Sequence, residues 1–298
     1  MKIAIAGSSG LIGTALSASL RERGHSVIRF VRKSSLAPDE VFFNPQGKTL
    51  DRSKESALHG LDAIVNLCGV GIGDKRWSPS RKAEVLSSRV DATSFLASLL
   101  PTLGEQAPAF LSASAIGFYG DRGNEELTEN SPRGQGFLAD VCVAWEAAAA
   151  NDSSRTVLLR TGVVLDPNGG ALKKQLPLFR AGLGGKLGNG RQWLSWIALD
   201  DQVAAMVHLI ESSSLEGPVN LTSPQPLTNA QFTKSLGGAL HRPTLLSVPE
   251  FALHLALGRE FADEIVFASQ RVLPSTLERS GFSFGQPTLE EALHASLR

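Results

Sequence analysis

The sequence IAIAGSSGLIGTAL, residues 3–16, decides the fold of this chain. It passes from an apolar stretch through Gly7, Gly10 and Gly13 into a segment with apolar residues at every fourth position. The turn needs a residue without a Cβ at Gly7, Gly10 lets a pyrophosphate approach the backbone, and Gly13 allows close helix–strand packing. The first N–H groups of the helix are then free to bind phosphate. A tight turn that binds no ligand is the alternative, but this context favours a dinucleotide site, with contacts from Gly7, Ser8, Ser9, Gly10, Leu11, Ile12 and Gly13.

The tip of the second predicted strand carries cations where NAD-binding proteins usually carry an acid. An acid about 20 residues beyond the glycine loop binds the adenosine ribose of NAD. Here the strand ends in Val31, Arg32 and Lys33, and a guanidinium at this position suits a 2′-phosphate that a carboxylate would repel. A solvated strand-end arginine is the alternative. We therefore predict NADP(H) rather than NAD, with contacts from these three residues.

Short apolar runs alternate with longer helical segments, a pattern typical of a parallel sheet covered by helices. The predicted strands are 2–6, 26–31, 63–67, 109–114, 156–159 and 218–221. The predicted helices are 11–23, 80–100, 137–150, 172–181 and 201–212, followed beyond Pro224 by 229–240, 249–257, 261–269 and 289–296. We expect an α/β fold: a Rossmann-type doubly wound parallel sheet over residues 1–224, with the cofactor fingerprint in 1–165, and a smaller, mainly helical C-terminal lobe over 225–298.

Composition narrows the classes of partner. The chain has 29 basic and 29 acidic residues, so no net positive charge favours nucleic acid or an anionic membrane. No apolar stretch approaches the roughly 20 residues that span a bilayer, and no secretory signal is recognisable. The two cysteines lack metal-ligand spacing and fit a reducing compartment, although a disulfide stays open. We expect a cytoplasmic protein without a metal site.

Two further motifs show which family the chain resembles. They are Asn66-Leu67-Cys68-Gly69 at a predicted strand end and SASAIGFYG at residues 112–120. With the glycine loop, they resemble the short-chain dehydrogenase/reductase superfamily, and within it a branch of atypical extended, epimerase-like members of unknown substrate. The resemblance covers essentially the whole chain and continues at 76–77, 88–90, 136–142, 145–146, 160–165, 190–193, 196–197, 200–201, 220–222 and 270–274.

The resemblance and the strand-end position imply further cofactor contacts. Leu67, Cys68 and Gly69 end the strand beside the crevice in which adenine and ribose lie in such folds. Arg89 stands where extended members usually carry an asparagine, and Glu84 could pair with it. A surface ion pair on a solvated helix is the alternative for these two residues. Val163 is a further predicted cofactor contact, because it lies in the matching segment 160–165.

The catalytic pattern departs from the superfamily. Its enzymes use a Tyr as acid/base with a Lys four residues later on the same helix. The chain's one tyrosine, Tyr119, is followed four residues later by Gly123, and no lysine lies between Ser114 and Ala171. The corresponding helix offers the pairs Phe137/Val141 and Leu138/Cys142, and neither is a normal acid/base pair. The usual Tyr–Lys pair is absent.

Two residues remain as catalytic candidates. Ser114 lies one position before the expected strand-end hydroxyl, and Tyr119 could reach the nicotinamide from its loop. A strand-end hydroxyl satisfied by backbone and a half-buried tyrosine ring are the respective alternatives. The loops expected above the strand ends carry Trp77, Trp193, Trp196, Arg191 and Asp201. These residues would suit an anionic, sugar-like substrate or simply join the two lobes, and joining is the expectation for Trp196, whose neighbours are apolar.

Two functions are consistent with this pattern. One is an NADP(H)-dependent oxidoreductase or epimerase that acts on a sugar- or carbonyl-containing small molecule with a non-standard proton donor. The other is a non-catalytic NADP(H)-binding sensor or regulatory protein. A nucleic-acid or membrane partner is disfavoured, and the resemblance allows a homodimer because extended members often dimerise.

Overall fold

The computed structural model describes residues 1–33, 37–104 and 107–297 and is built around one large sheet. Its strands are β1 Lys2–Ala6, β2 Ser26–Val31, β3 Glu40–Asn44, β4 Thr49–Leu50, β5 Ala63–Asn66, β6 Ala109–Ala115, β7 Glu126–Leu127, β8 Thr156–Thr161, β9 Val163–Asp166, β10 Gly185–Leu187, β11 Trp193–Leu194, β12 Trp196–Ala198, β13 Gly217–Leu221, β14 Leu227–Thr228, β15 Leu246–Val248 and β16 Arg271–Val272. The α-helices are α1 Leu11–Glu22, α2 Pro79–Leu99, α3 Phe137–Ala148, α4 Gly170–Arg180, α5 Leu199–Glu211, α6 Asn229–Ala239, α7 Glu250–Leu257, α8 Arg259–Phe261, α9 Ser275–Arg279 and α10 Leu289–Ser296. Short 3₁₀ helices span Arg52–Leu58, Leu100–Thr102 and Ile116–Tyr119, and a π-helix spans Ala262–Phe267.

The main sheet has the strand order β13-β8-β6-β5-β1-β2-β3-β4, and all its neighbours are parallel except β3 and β4. The chain moves outward from β1 through β2 to β3 and then returns to β5 on the other side of β1. Connections on either side of β1 therefore diverge, and a crevice opens at the carboxyl ends of β1 and β5. Ligands of doubly wound sheets bind at this switch point.

Alternate residues of β1 point to the two faces of the sheet. Ile3 and Ile5 belong to a core that includes Leu16 and Leu20 of α1 and the apolar face of α5. On the other face, Ala4 and Ala6 leave room for α2, which packs there with Phe95 and Leu96. Side chains of successive strand residues alternate between faces, so one five-residue strand supports both helical layers.

The structure confirms the predicted Rossmann-type doubly wound fold with a helical C-terminal portion. The prediction omitted β3, which extends the sheet beyond β2 and begins with the buried Glu40. A charged first residue and a run of only five residues hide this strand from a pattern search. The predicted helix 261–269 was wrong in type, because the chain forms the three-residue α8 and a π-helix there.

Several short strand pairs join the C-terminal residues to earlier parts of the chain. β15 pairs with β10, β14 with β11 and β16 with β7. The β16–β7 pair and the hydrogen bonds of Ser269 to Asp121 and of Gln270 to Ile116 place residues 269–272 beside the loop that follows β6. The domain boundary near residue 224 stays a prediction. No helix among the described residues is long and apolar enough to cross a membrane.

Candidate cofactor and substrate site

The glycine loop forms a cradle at the end of β1. Gly7 has a φ of 84°, and a Cβ there would lie 2.7 Å from the carbonyl oxygen of Leu67. A Cβ on Gly13 would lie 2.2 Å from the carbonyl oxygen of Gly7, so the close helix–strand approach requires glycine. At Gly10, in contrast, a Cβ would meet protein atoms only at 3.5 Å. Protein packing therefore explains two glycines, and the third leaves space over the loop.

The N-terminus of α1 faces this cradle with its backbone donors available. Gly10 is the N-cap residue, and no side chain among the described residues caps the helix. The Gly10 N–H donates to Gly7 and the Thr14 N–H to Gly10, so the intervening first-turn donors of Leu11, Ile12 and Gly13 stay open. Ser8 is buried and Ser9 is exposed at the rim. This arrangement fits a pyrophosphate.

Of the two predicted cations at the tip of β2, Lys33 forms an ion pair and Arg32 forms none with the described residues. The Lys33 ammonium lies 3.0 Å from Glu40, which also pairs with Arg29 at 2.9 Å. Lys33 is therefore paired with an acid of the neighbouring strand β3 and is not free for a phosphate in this structure. Arg32 is exposed, and within residues 1–33, 37–104 and 107–297 no hydrogen bond or ion pair holds it.

Strands β5 and β2 lie on either side of β1, so their carboxyl ends border the same crevice. The Arg32 charge is felt at the Cys68 thiol. Burial nevertheless raises the pKa of Cys68 to about 11, which makes it a poor nucleophile at neutral pH. The Leu67 N–H donates to Ala6, and a Cβ on Gly69 would lie 3.1 Å from the Arg89 guanidinium carbon.

Arg89 is buried beneath the loop that follows β5. Its guanidinium donates to the carbonyl oxygens of Val85 and Val70 at 2.9 and 3.1 Å and lies 5.0 Å from the ring centre of Trp145. Burial lowers its pKa, and no carboxylate among the described residues pairs with it. The predicted Glu84–Arg89 pair is wrong, because Glu84 pairs with Arg81 at 2.6 Å. Arg89 thus brings a positive charge to the loop after β5 with no neutralising carboxylate among the described residues.

Ser114 and Tyr119 belong to one buried polar network. Ser114 Oγ donates to Glu146 at 2.7 Å, and Arg160 donates to both carboxylate oxygens of Glu146 at 2.8 and 2.9 Å. The Tyr119 hydroxyl donates to Asn220 at 2.7 Å and accepts from Arg160 at 3.1 Å. Tyr119 is fully buried, and burial raises its pKa. The Ser114 hydroxyl is therefore bound by a side chain and not by backbone, and the Tyr119 ring is fully and not half buried. The catalytic roles of both residues stay predictions.

A small cavity lies against the first turn of α3. Its volume is about 190 Å³, and it borders Leu138, which stands at one of the positions expected for the superfamily's tyrosine. Polar groups from separate parts of the chain line it, namely Asp121, Gln135, Asp263, Glu264 and Gln270. The Gln270 amide donates to the carbonyl oxygens of Ile116 and Gly120 and so fixes one wall.

Glu264 is a site residue that the sequence did not reveal. Its two carboxylate oxygens accept the N–H groups of Phe137 and Leu138 at 2.7 Å each. Gly136, the N-cap residue of α3, has no side chain to do this, and a Cβ there would lie 3.1 Å from the Glu264 carboxyl carbon. The cap of α3 therefore comes from the π-helix, whose Glu264 lies 126 residues beyond Leu138 in the chain. Such π-helical turns are common at functional sites.

The tryptophans hold the surrounding segments together. Trp77 packs edge-on against Phe137 and Phe261 with ring centres 5.0 and 5.3 Å apart. Trp193 donates to Asn124 and lies under the Arg271 guanidinium. Trp196 is fully buried and donates to Gln225.

Other expected site residues take varied positions. Val163 opens β9, where its N–H donates to Ser195, and its role at the cofactor stays a prediction. Asp201 lies in segment 200–201, one of those that resemble the family. It is buried and accepts the N–H groups of Gly285 and Gln286. Within the described residues, no group of three or more His, Cys, Asp or Glu side chains could hold a metal ion.

The strand order and the glycine cradle define a Rossmann-type protein with a dinucleotide-binding architecture. A model described as the NAD dependent epimerase/dehydratase family matches residues 3–221, and a domain of unknown function, DUF1731, matches residues 248–296. The chain therefore belongs to the NAD-dependent epimerase/dehydratase family.

Individual relatives agree with this assignment over nearly the whole chain. An epimerase family protein of Mycobacterium tuberculosis is 47% identical over 294 residues, which cover 98% of this chain and 96% of the relative. The crystal structure of human epimerase family protein SDR39U1 (isoform 2) with NADPH has a TM-score of 0.90 at 33% identity and 99% coverage of both chains. A nucleoside-diphosphate sugar epimerase from Corynebacterium glutamicum has a TM-score of 0.79 at 36% identity, over 100% of this chain and 58% of that chain.

Proposed function

We propose that this protein binds NADP(H) and is an NADP(H)-dependent oxidoreductase or epimerase of the atypical short-chain type, acting on a sugar- or carbonyl-containing small molecule. The exposed Arg32 guanidinium carries the proposal. It lacks an ion-pair partner among the described residues, and its charge is felt at Cys68 across the crevice between the tips of β2 and β5. A cation in this position complements a 2′-phosphate. The similarity to human SDR39U1, solved with NADPH, supports the same cofactor.

The described residues fit each part of this cofactor. The open donors of Leu11, Ile12 and Gly13 would hold the pyrophosphate, and the space above Gly10 admits it. Leu67, Cys68 and Gly69 would border the adenosine, and the unneutralised Arg89 would hold a ribose or phosphate oxygen nearby. Val31, Glu84 and Val163 complete the proposed contacts. The nicotinamide ring, when bound, supplies or accepts a hydride.

Proton transfer requires a group other than the missing Tyr–Lys pair. Leu138 has no exchangeable proton in its side chain, and burial raises the pKa of Cys142 to about 12. The carboxyl groups of Asp121, Asp263 and Glu264 are acid/base groups that the described residues bring to the cavity beside Leu138. A substrate carbonyl or hydroxyl in this cavity would therefore meet carboxyl groups of the loop after β6 and of the C-terminal π-helix.

A second function, a non-catalytic NADP(H) sensor, is favoured by one observation. Both hydroxyl candidates, Ser114 and Tyr119, are already bound to neighbouring protein groups. With Leu138 and Cys142 at the usual acid/base positions, the fold could hold the cofactor without turning over a substrate.

A titration with two cofactors tests the proposed binding. Arg32→Glu should weaken NADPH binding by about 10- to 100-fold, because a charge-assisted contact of about 1.5–3 kcal/mol is lost and repulsion is added. NADH binding should change less than about threefold. Arg23→Glu makes the same charge change at the far end of α1 and should leave both affinities unchanged. Equal losses for NADPH and NADH in Arg32→Glu would contradict the assignment.

Two glycine variants separate binding from folding. Gly10→Ala should leave the free energy of unfolding nearly unchanged, because its methyl group would make only an ordinary contact, 3.5 Å from the Gly7 carbonyl oxygen. It should weaken NADPH binding, because the methyl group would occupy the space proposed for the pyrophosphate. Gly13→Ala should lower stability even without cofactor, because its methyl overlaps the Gly7 carbonyl. Calorimetric titration and thermal unfolding of the same samples distinguish these outcomes.

A turnover screen decides between enzyme and sensor. NADPH oxidation is followed at 340 nm with a broad set of carbonyl compounds, and nucleotide sugars are checked for epimerisation. Any reproducible turnover that Glu264→Gln or Asp121→Asn abolishes, with NADPH affinity intact, supports the enzyme. Tight NADPH binding without turnover of any compound supports the sensor.

A further inference from the structure

The loop between β5 and α2 is fastened to α4 by one side chain. We call residues 70–77 of this loop the strap. The Lys174 ammonium of α4 donates to the Gly73 carbonyl oxygen at 3.1 Å and lies 3.6 Å from an Asp74 carboxylate oxygen. No other side chain of α4 in the described part of the chain forms a hydrogen bond or an ion pair with the strap. Lys174 is therefore the point at which α4 holds the strap.

This contact closes a ring around the end of β1. The glycine loop leads from β1 to Leu11, the first residue of α1. A Cβ on Gly169, the N-cap residue of α4, would lie 2.8 Å from the Leu11 side chain, so α1 and α4 touch at their first turns. From α4, Lys174 reaches Gly73, and the strap leads back to β5, which pairs with β1. The ring thus runs from β1 through α1, α4 and the strap to β5.

A dinucleotide on the glycine loop would pass through this ring. Its 2′-phosphate is proposed to lie at Arg32, at the tip of β2 on one side of β1. The nicotinamide must then extend the other way, over β5 and β6 toward the proposed substrate cavity beside Leu138, because the two nucleotides lie on either side of the diphosphate. The strap follows the same path, since it starts after β5 and its Trp77 packs against Phe137 in the first turn of α3.

The strap is ordered within itself but is held only weakly at α4. The Trp77 indole N–H donates to the Ile72 carbonyl oxygen at 3.0 Å, and the Trp77 ring also packs against Phe261. In contrast, the Lys174 and Asp74 side chains are 63% and 61% exposed, and exposed ion pairs contribute little to stability. The aromatic contacts keep one end of the strap in place, so the strap opens at Lys174.

We propose that the strap is a lid over the nicotinamide half of the cofactor, that Lys174 closes it, and that NADPH enters and leaves when this contact breaks. The inference rests on the proposed function, because the lid needs a dinucleotide to cover. When closed, the lid excludes water from the position of hydride transfer. When open, it gives the bulky nicotinamide end a way past α4.

Stopped-flow fluorescence of NADPH tests the lid through the rates of association and dissociation. Lys174→Ala should raise both rates by about three- to fivefold, because an exposed charge pair is lost and lid opening precedes both steps. The dissociation constant should change by less than about twofold, because the same contact closes the lid in the free and in the bound chain.

Two matched controls separate the contact from its surroundings. Lys173→Ala removes the same charge from the neighbouring exposed position, where no described residue pairs with it, and should leave both rates unchanged. Gly73→Ala keeps the carbonyl oxygen that accepts from Lys174. Its methyl group would make an ordinary contact, 3.7 Å from the Phe261 ring, and should also leave both rates unchanged.

Trypsin measures lid opening without a cofactor. Lys75 is an exposed cleavage site within the strap, and cleavage of a locally opened segment follows the population of the open form. Lys174→Ala should speed cleavage after Lys75 by about three- to fivefold, as it speeds NADPH exchange. Saturating NADPH should slow this cleavage in the wild type.

The outcomes distinguish the lid from the proposed function. Unchanged NADPH rates in Lys174→Ala, or equal changes in Lys173→Ala, overturn the lid and leave cofactor binding intact. Slower association combined with faster dissociation also overturns it, because Lys174 would then contact the cofactor directly. A wild-type chain that binds no NADPH overturns the proposed function and the lid with it.

Discussion

Replacing Arg160 by methionine should cost about 3–5 kcal/mol of the free energy of unfolding. Arg160 is buried on β8 and donates two hydrogen bonds to Glu146, one to Tyr119 and a longer one to the carbonyl of Glu129. Its guanidinium also lies 3.5 Å from the ring centre of Phe118. Methionine preserves much of the packing but leaves the Glu146 carboxylate buried without a cation.

The magnitude follows from this unpaired carboxylate and not from the number of contacts. Breaking a buried ion pair from one side costs about 3–5 kcal/mol, whereas an ordinary net hydrogen bond contributes about 1 kcal/mol. Adding Glu146→Leu removes the stranded charge, so the double variant should regain at least half of the loss. Arg155→Met is the matched control, since Arg155 donates to the carbonyl oxygens of Leu209 and Leu215, and the nearby Glu216 is exposed, so no buried carboxylate is left behind.

Urea unfolding followed by circular dichroism measures the free energy of unfolding at one pH. The four proteins compared are the wild type, Arg160→Met, the double variant with Glu146→Leu, and Arg155→Met. At about 2 °C per kcal/mol for a chain of this length, the melting temperature of Arg160→Met should fall by about 6–10 °C. A loss below about 1 kcal/mol would refute the reasoning. So would a double variant less stable than Arg160→Met, because the buried carboxylate would then not be the source of the cost.

Three further outcomes are expected. Glu264→Gln removes a charge from the α3 N-terminus and should lower stability by about 1 kcal/mol, whereas Glu260→Gln, in an exposed ion pair, should change it by less than half of that in the same urea assay. Cys142 should react with a thiol reagent at pH 8 only about as fast as the chain opens, because its side chain is buried and burial raises its pKa to about 12; rapid labelling of Cys142 in the folded chain would contradict this. The hydrogen bond from Arg29 lowers the pKa of Asp39, so its stabilisation is present above about pH 4 and is lost as pH falls; Asp39→Asn should therefore lose less stability than the wild type between pH 5 and pH 3.

The sequence predicts the β1–α1–β2 unit well because each of its signals is local. The glycine spacing, the apolar period of α1 and the cations at the β2 tip all lie within the first 33 residues. Strand β3 is not recognisable from the sequence, because its first residue, Glu40, is a buried acid. Its burial is tolerable only because Arg29 and Lys33 neutralise it, and this pairing exists only in three dimensions.

The sequence does not predict which side chains the charged residues contact. Glu84 was expected beside Arg89, but the spacing of three residues on α2 brings it to Arg81. The five-residue spacing to Arg89 places the two on different faces of the helix. Ser114 finds Glu146 across 32 residues, and no sequence pattern signals that contact.

The two sides of the site differ in how they are encoded, and this explains why the cofactor can be inferred while the substrate cannot. The cofactor side consists of consecutive strand–loop–helix units, each of which carries its own recognisable signal. On the proposed substrate side, the first turn of α3 is capped by Glu264 and the loop after β6 is held by Gln270. Both groups come from the region that DUF1731 matches, more than 120 residues further along the chain. Changes in residues 263–270 should therefore alter substrate selection while leaving the glycine cradle and its cofactor preference unchanged.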